Sequence, residues 1–143
     1  MIRAATPDQI NDLVALEQLC FTDEAWSSKS ITAEFSLGFI FVLISNDAVY
    51  GYTVGRIIAD ECHLLRIAVA PDHRGMGHGF KLLNTVHEHA RKIGATRVLL
   101  EVRADNVAAC SLYLRHGYQS DGTRLSYYPD GTDASLFSLA LKR

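Results

Sequence analysis

The sequence predicts an α/β fold, a mixed and mostly antiparallel twisted sheet flanked by helices, in one domain spanning residues 1–143. Three observations carry that expectation. Hydrophobic periodicity switches along the chain in the order helix, helix, three strands, helix, strand, helix, two strands, which suits a layered α/β domain. Residues 63–83, HLLRIAVAPDHRGMGHGFKLL, read as a buried strand, a proline stop, a glycine-rich turn and an amphipathic helix. No repeat, low-complexity tract or linker interrupts the 143 residues, a length that buries one core.

Each element has a local cause. Thr6-Pro7-Asp8 starts a helix over about 7–20, with a hydroxyl cap, proline at the first helical position and an acid in the first turn. Its apolar stripe is Ile10, Leu13, Val14 and Cys20. Ser27 or Ser28 caps a short second helix through about Phe35. Phe39–Ser45 is a strand, Asn46-Asp47 a hairpin turn, and VYGYTVGRIIA the partner strand, where Gly51 and Gly55 predict a bulge or splay. His63–Ala70 is the third long strand. A helix over 78–93 follows, with Leu82, Leu83, Val86, Ala90 and Ile93 at helical spacing and Gly94 as its stop. TRVLLEVRA is a strand. Asp105-Asn106 caps a helix that stops at Gly117, and two strands joined by Pro129-Asp130-Gly131 close the chain.

The glycine-rich turn predicts a ligand. Gly75, Gly77 and Gly79 lie between a strand and a helix N-terminus, where free N–H groups converge and the dipole favours an anion. A phosphate-bearing ligand at residues 74–80 is the expectation; plain helix-capping glycines are the alternative. The P-loop signature fails, because Gly79 is followed by Phe80 and Lys81 with no hydroxyl after them. The dinucleotide fingerprint fails too, since its third glycine would fall on Phe80.

Composition excludes other classes. A formal net charge of −2 gives no excess for nucleic-acid binding, and no apolar run approaches the roughly 20 residues of a membrane span. MIRAATPDQIND lacks the apolar core of a signal peptide. Cys20, Cys62 and Cys110 are widely spaced with no C-x-x-C, and read as reduced, packed thiols of a cytoplasmic protein. No metal site is expected: His87 and His89 fall on different faces of their helix.

Arg74-x-x-Gly77-x-Gly79, directly after IAVAPDH, resembles the acetyl-CoA loop of the GNAT acetyltransferases. The element order resembles the GNAT fold over essentially the full chain. LEVRADNVAACSLYLRHGY and YYPDGTDA resemble segments of one GNAT subfamily, the bacterial ribosomal-protein alanine N-acetyltransferases. The resemblance implies acetyl-CoA as cosubstrate, held through its pyrophosphate by Arg74, Gly75, Met76, Gly77, His78, Gly79 and Phe80. It implies as acceptor the N-terminal amine of a ribosomal protein. Arg66 and Ala25 depart from the subfamily pattern on the substrate side, so they bear on peptide preference.

Acetyl transfer from a thioester to an amine needs a base, a stabiliser for the carbonyl oxygen and an acid for the leaving thiolate. An α-amine, with a pKa of roughly 7.7–8.0 against about 10.4 for lysine, needs only a modest base. Glu101 is the candidate base. It sits mid-strand with Val98, Leu100 and Val102 on the opposite face, and partial desolvation beside a cleft would poise it for proton transfer. The resemblance puts the base here; an ion pair with Arg103 or Arg97 is the alternative. Tyr113 is the candidate acid, a phenol neutral at working pH where the resembling family has its acid. Core packing beside Leu112 and Leu114 is its rival. Asn106 is expected to cap its helix and to bond the pantetheine arm. The carbonyl stabiliser is expected to be backbone N–H of Ile67, Ala68 and Val69.

The weaker candidates are noted with their rivals. His73 and His78 flank the turn, with a solvated surface role favoured over phosphate contact. Cys110 with His116 suggests a nucleophile, but packing among Ala108, Ala109 and Leu112 is favoured. Asp60 and Glu61 either attract a cationic amine or form a turn, and Trp26, Tyr127 and Tyr128 either clamp a peptide or pack at an edge. The expected activity is direct acetyl transfer to a protein α-amine. A lysine or small-molecule amine acetyltransferase of the same fold, or a non-catalytic acyl-CoA-binding module, is the alternative.

Overall fold

Thr6 opens the first helical segment in a capping box: its backbone N–H donates to the Gln9 side chain at 2.9 Å. In the computed structural model, which describes residues 1–142, a 3-10 turn Pro7–Gln9 leads into α1 (Ile10–Phe21). Leu13, Leu16 and Glu17 are its buried residues. Ser27 caps α2 (Ser28–Leu37), accepting from the Ser30 N–H at 3.1 Å.

β1 (Ile2–Ala4) was not expected. It is three residues long and pairs antiparallel with β2 (Phe39–Ser45) in the register Ile2↔Leu43 to Ala4↔Phe41. Such a strand is too short to show alternation, and its partner in space defines it. Asn46 and Asp47, with φ of 52 and 64, make the tight turn from β2 to β3 (Ala48–Ile58). The β2–β3 register jumps from Leu43↔Gly51 to Ile44↔Val49, so Tyr50 is an extra residue on β3. The predicted bulge is therefore beside Gly51, while Gly55 pairs regularly with Phe39.

β4 (Glu61–Val69) precedes the glycine-rich turn and α3 (His78–Ile93), followed by Gly94 at φ 93. β5 (Arg97–Arg103), α4 (Val107–Arg115), β6 (Gln119–Arg124) and β7 (Ala134–Ala140) complete the order. Hydrogen-bonded neighbours follow β1-β2-β3-β4 and β4-β5-β7-β6. The β4–β5 pair is parallel, whereas β1–β2, β2–β3, β5–β7 and β6–β7 are antiparallel. The seven-stranded sheet is thus mixed and mostly antiparallel, as expected. No helix among the described residues is long and apolar enough to cross a membrane.

The chain divides into two compact units. The first comprises Met1–Arg56 and Leu65–Glu88, and its core is Leu13, Leu16, Ile31, Ile40, Val42, Tyr52, Val54 and Ala68. The second comprises Ile57–Leu64 and the chain from His89, burying Cys62, Val98, Leu100, Tyr113, Tyr118, Ala134 and Phe137 among others.

Candidate active site

In the first unit, the end of β4 is tied on both sides. The Ala70 N–H donates to the Tyr50 carbonyl at 2.8 Å, and Arg74 Nε and Cys20 Sγ donate to the Val69 carbonyl at 2.9 and 3.7 Å. Ala68 is buried, and a Cβ on Gly51 would sit 3.1 Å from its carbonyl. Gly51 thus permits a close backbone approach, where a splay of the strand was one expectation. Gly75 and Gly77 both have φ of 80, with open space where a Cβ would go. Backbone conformation, not crowding, is what these two glycines supply. The first bond into α3 runs from the Lys81 N–H to the Gly77 carbonyl, so the preceding helical N–H groups point out of the helix end. Residues 71–77, Arg74, Gly75, Met76 and Gly77 included, are exposed, as is Phe80; His78 and Gly79 are half-buried. The turn can therefore meet a large anion from solvent.

The two histidines of this turn pack on one ring, although His73 keeps the exposure expected of it and His78 is half-buried. His73 stacks on the Tyr50 ring at 4.6 Å and His78 meets its edge at 5.2 Å. Partial burial, then the nearby Lys81 and His73 charges, lowers the proton affinity of His78. The bulged Tyr50 supplies the surface they pack on.

Arg66 turns out to be a structural group of the same unit. Its Nε and Nη2 donate to Glu17 at 3.1 and 2.8 Å, and Nη2 donates to the Glu24 carbonyl at 2.8 Å. The guanidinium lies 3.6 Å from the Phe21 ring centroid and 4.6 Å from that of Trp26. Glu17 is fully buried and also accepts the Trp26 N–H at 2.7 Å. Arg66 and Trp26 thus pin the segment after α1, which for Trp26 is the packing role given as one of its two expected readings. The sequence did carry a signal for Glu17: it lies four residues after Leu13 and three before Cys20, on the apolar stripe of α1.

In the second unit, β5 alternates as predicted, with Val98 and Leu100 buried and Glu101 exposed. The parallel ladder with β4 runs from Glu61↔Arg97 to Leu64↔Leu100, and Glu101, Val102 and Arg103 continue against β7. The Glu101 side chain is partly buried, keeping 35% of its exposure. Neither arginine named as its rival partner takes it. Arg97 pairs with Glu61, and Arg103 pairs with Asp105 and Asp130. Glu101 instead faces Arg124 Nε at 3.5 Å, and its carboxylate raises the pKa of the Tyr127 phenol. The sheet explains the choice: Ala134 pairs with Arg103 on one side and Arg124 on the other, so a small residue separates them. Arg124 escaped sequence reasoning, since its separation of 23 positions from Glu101 is no local spacing.

Tyr113 is buried, its ring 5.5 Å from Tyr118 and 6.0 Å from Phe137, so the packing role foreseen for it exists. Burial, the largest cause, raises its phenol above the ordinary range. Asn106 caps α4, accepting from the Ala109 N–H at 3.1 Å, although it is exposed. Cys110 is a half-buried thiol raised by burial, and Cys62 is pushed up to about 12 by the same cause; both are poor thiolate nucleophiles. Asp60 serves a turn, its carbonyl accepting the Thr96 N–H at 2.7 Å. Within this unit Glu101 is a carboxylate in solvent reach, and Tyr113 and Tyr118 are buried phenols.

Comparisons with known proteins agree with this architecture. Residues 10–118 match the Acetyltransferase (GNAT) family. The chain is 33% identical over 120 residues, 81% of each chain, to the ribosomal protein bS18-alanine N-acetyltransferase of Escherichia coli K12. The crystal structure of the ribosomal-protein-S18-alanine N-acetyltransferase from Escherichia coli superposes with a TM-score of 0.92 at 29% identity, covering 100% of this chain and 94% of that one. Ard1 from Thermoplasma volcanium superposes with a TM-score of 0.89 at 25% identity, covering 100% and 98%.

Proposed function

Because the chain belongs to the acetyltransferase (GNAT) family and is an N-acetyltransferase, we propose that it transfers acetyl from acetyl-CoA to the N-terminal α-amine of a protein. The acceptor in this reading is the N-terminal alanine of a small-subunit ribosomal protein, met in the cytoplasm. The observation that carries it is the 33% identity, over 81% of both chains, to an enzyme named for that reaction. Residues 1–143 act as one catalytic domain.

The roles follow from the chemistry. Arg74 and the N–H groups of Gly75, Met76, Gly77, His78, Gly79 and Phe80 receive the pyrophosphate, supported by the two glycines at φ 80 and the helix N-terminus behind them. Asn106 bonds the pantetheine arm. N–H groups of Ile67, Ala68 and Val69 stabilise the thioester oxygen as charge develops, on a strand end held rigid by its bonds to Tyr50 and Arg74. Glu101 takes the amine proton directly or through water, the amine attacks the carbonyl carbon, and Tyr113 protonates the departing thiolate. A phenol held neutral by burial suits the last step.

The test is acetyl transfer to short peptides with free Ala, Ser or Met N-termini, with N-blocked lysine peptides as controls. Wild type, Glu101→Gln and Tyr113→Phe are compared. Turnover of the Ala peptide, lost in both variants, is the expected result. Turnover of lysine peptides alone would overturn the acceptor while keeping the family. Acetylated protein formed without acceptor would overturn direct transfer.

A further inference from the structure

Tyr50 is the extra residue of the β3 bulge, lying between Val49, which pairs with Ile44, and Gly51, which pairs with Leu43. Bulged residues are re-aimed away from the regular ladder, and the contacts of this one go to the glycine-rich turn. Its carbonyl accepts the Ala70 N–H at 2.8 Å, just past the end of β4. Its ring stacks on the His73 imidazole, with centroids 4.6 Å apart and planes 29° from parallel. The same ring meets the His78 imidazole edge-on, at 5.2 Å and 71°. One residue thus touches the turn at its approach, its entry and its exit.

Between those points the turn has little of its own to hold it. Gly75 and Gly77 sit at φ 80, and a Cβ on either would meet nothing within 4 Å. Residues 74–77 are exposed, and Arg74 is tied back to the Val69 carbonyl through Nε at 2.9 Å. A solvent-facing segment with two glycines has much backbone freedom to lose, so it keeps one shape when its ends are held. At the exit, His78 Nδ1 is out of reach of water and has no hydrogen-bond partner. Ring packing on Tyr50, not a bond at that nitrogen, orients the imidazole.

We propose that Tyr50 is a positioning residue for acetyl-CoA, whose ring holds both ends of the turn in the shape that receives the pyrophosphate. The inference rests on the reading of this turn as the acetyl-CoA site. A turn already in its binding shape loses little freedom when the anion arrives, whereas a released one must be ordered at that moment. Tyr50 therefore acts on cosubstrate binding and leaves the transfer step alone. Its carbonyl bond to Ala70 is made by backbone and survives a change of side chain, so substitution reads the ring.

The experiment measures the Kd of coenzyme A on the full chain by calorimetry, which needs no acceptor. KM and kcat for acetyl-CoA with the Ala peptide, and thermal melts, accompany it. Tyr50→Phe keeps the ring, Tyr50→Leu removes it, and His73→Ala/His78→Ala removes its partners while leaving β3 intact. The triple variant Tyr50→Leu/His73→Ala/His78→Ala closes the cycle. We expect Tyr50→Leu to raise Kd and KM by about tenfold, the factor for a turn that holds its competent shape about one-tenth of the time. In that variant kcat should hold, Tyr50→Phe should restore wild-type binding, and the triple variant should bind no more weakly than the histidine pair. An unmoved Kd in Tyr50→Leu would overturn the inference, whatever its melting temperature. So would an equal loss in Tyr50→Phe, a fall in kcat as large as the rise in KM, or penalties that multiply in the triple variant. Should Tyr50→Leu fail to fold, an unmoved Kd in the histidine pair overturns it equally. Gly77→Ala separates the two readings. If it weakens coenzyme A binding while Tyr50→Leu and the histidine pair match wild type, this inference alone fails. If it too binds as wild type, the turn is not the coenzyme site and that reading takes this inference with it.

Discussion

Glu17 and Glu101 are both carboxylates engaged by an arginine and an aromatic neighbour, and their surroundings diverge from there. Glu17 is fully buried and takes three N–H bonds, two from Arg66 and one from the Trp26 backbone, at 2.7 to 3.1 Å. Glu101 keeps 35% of its side-chain exposure, and its arginine stands 3.5 Å away with 57% exposure of its own. A carboxylate with its acceptor sites filled by short bonds in a dry place is a structural part, since every exchange of partner would strand a charge. A carboxylate faced by a distant guanidinium in reach of water can give up that partner to an incoming amine. Occupancy and exposure, not residue type, separate the two.

The comparison can be broken at either end. Glu17→Ala is expected to have the largest effect on folding, a loss of about 3–5 kcal/mol in urea unfolding, because the Arg66 guanidinium is left uncompensated between two rings. A loss under about 0.5 kcal/mol would mean that the pair is not structural. Glu101→Gln should do the reverse, leaving stability within about 0.5 kcal/mol while acetyl transfer falls by about 100- to 10,000-fold.

Gly77→Ala tests the turn, not a carboxylate. Forcing a side chain to φ 80 should cost about 1–2 kcal/mol of stability and raise the KM for acetyl-CoA more than it lowers kcat. Arg124→Gln should lower kcat/KM by no more than about fivefold, the ceiling for an exposed pair, and added salt should erase the difference.

The smallest effect lies in acid. Arg103, the largest cause, together with bonds from Thr132, holds the Asp130 carboxyl far below the ordinary range. Its folded form binds a proton less readily than its unfolded form. The stabilisation it adds is therefore complete above about pH 4, the ordinary carboxylate range, and is lost as pH falls below that. Melting temperature followed from pH 5 to lower values should fall less steeply in Asp130→Asn than in wild type.

The elements that speak through local spacing were legible in the residues. β2 and α3 lie where alternation, caps and glycines put them, at Phe39–Ser45 and His78–Ile93. β1 was not, because three residues carry no period and only β2 makes them a strand. The elements that carry the candidate side chains were legible as well: a carboxylate on β5, a phenol on α4, glycines before α3. What each arginine does was not. Arg66 meets a glutamate 49 positions away, and Arg124 rather than Arg97 or Arg103 meets Glu101. Long side chains choose partners through sheet register and burial, which one-dimensional spacing does not encode.

The extra residue at Tyr50 has a consequence for how this chain tolerates changes of length. Between the tip at Asn46-Asp47 and Gly51, the hairpin counts one more residue on its second arm than on its first. Adding or deleting a single position there would shift the alternation by one and drive the buried Tyr52 and Val54 onto the face that the equally buried Thr53 occupies. Single-residue insertions and deletions in homologous chains should therefore be rare within Ala48–Gly51 and should collect at the hairpin tip, where two backbone conformations, not a packed face, are all that is at stake.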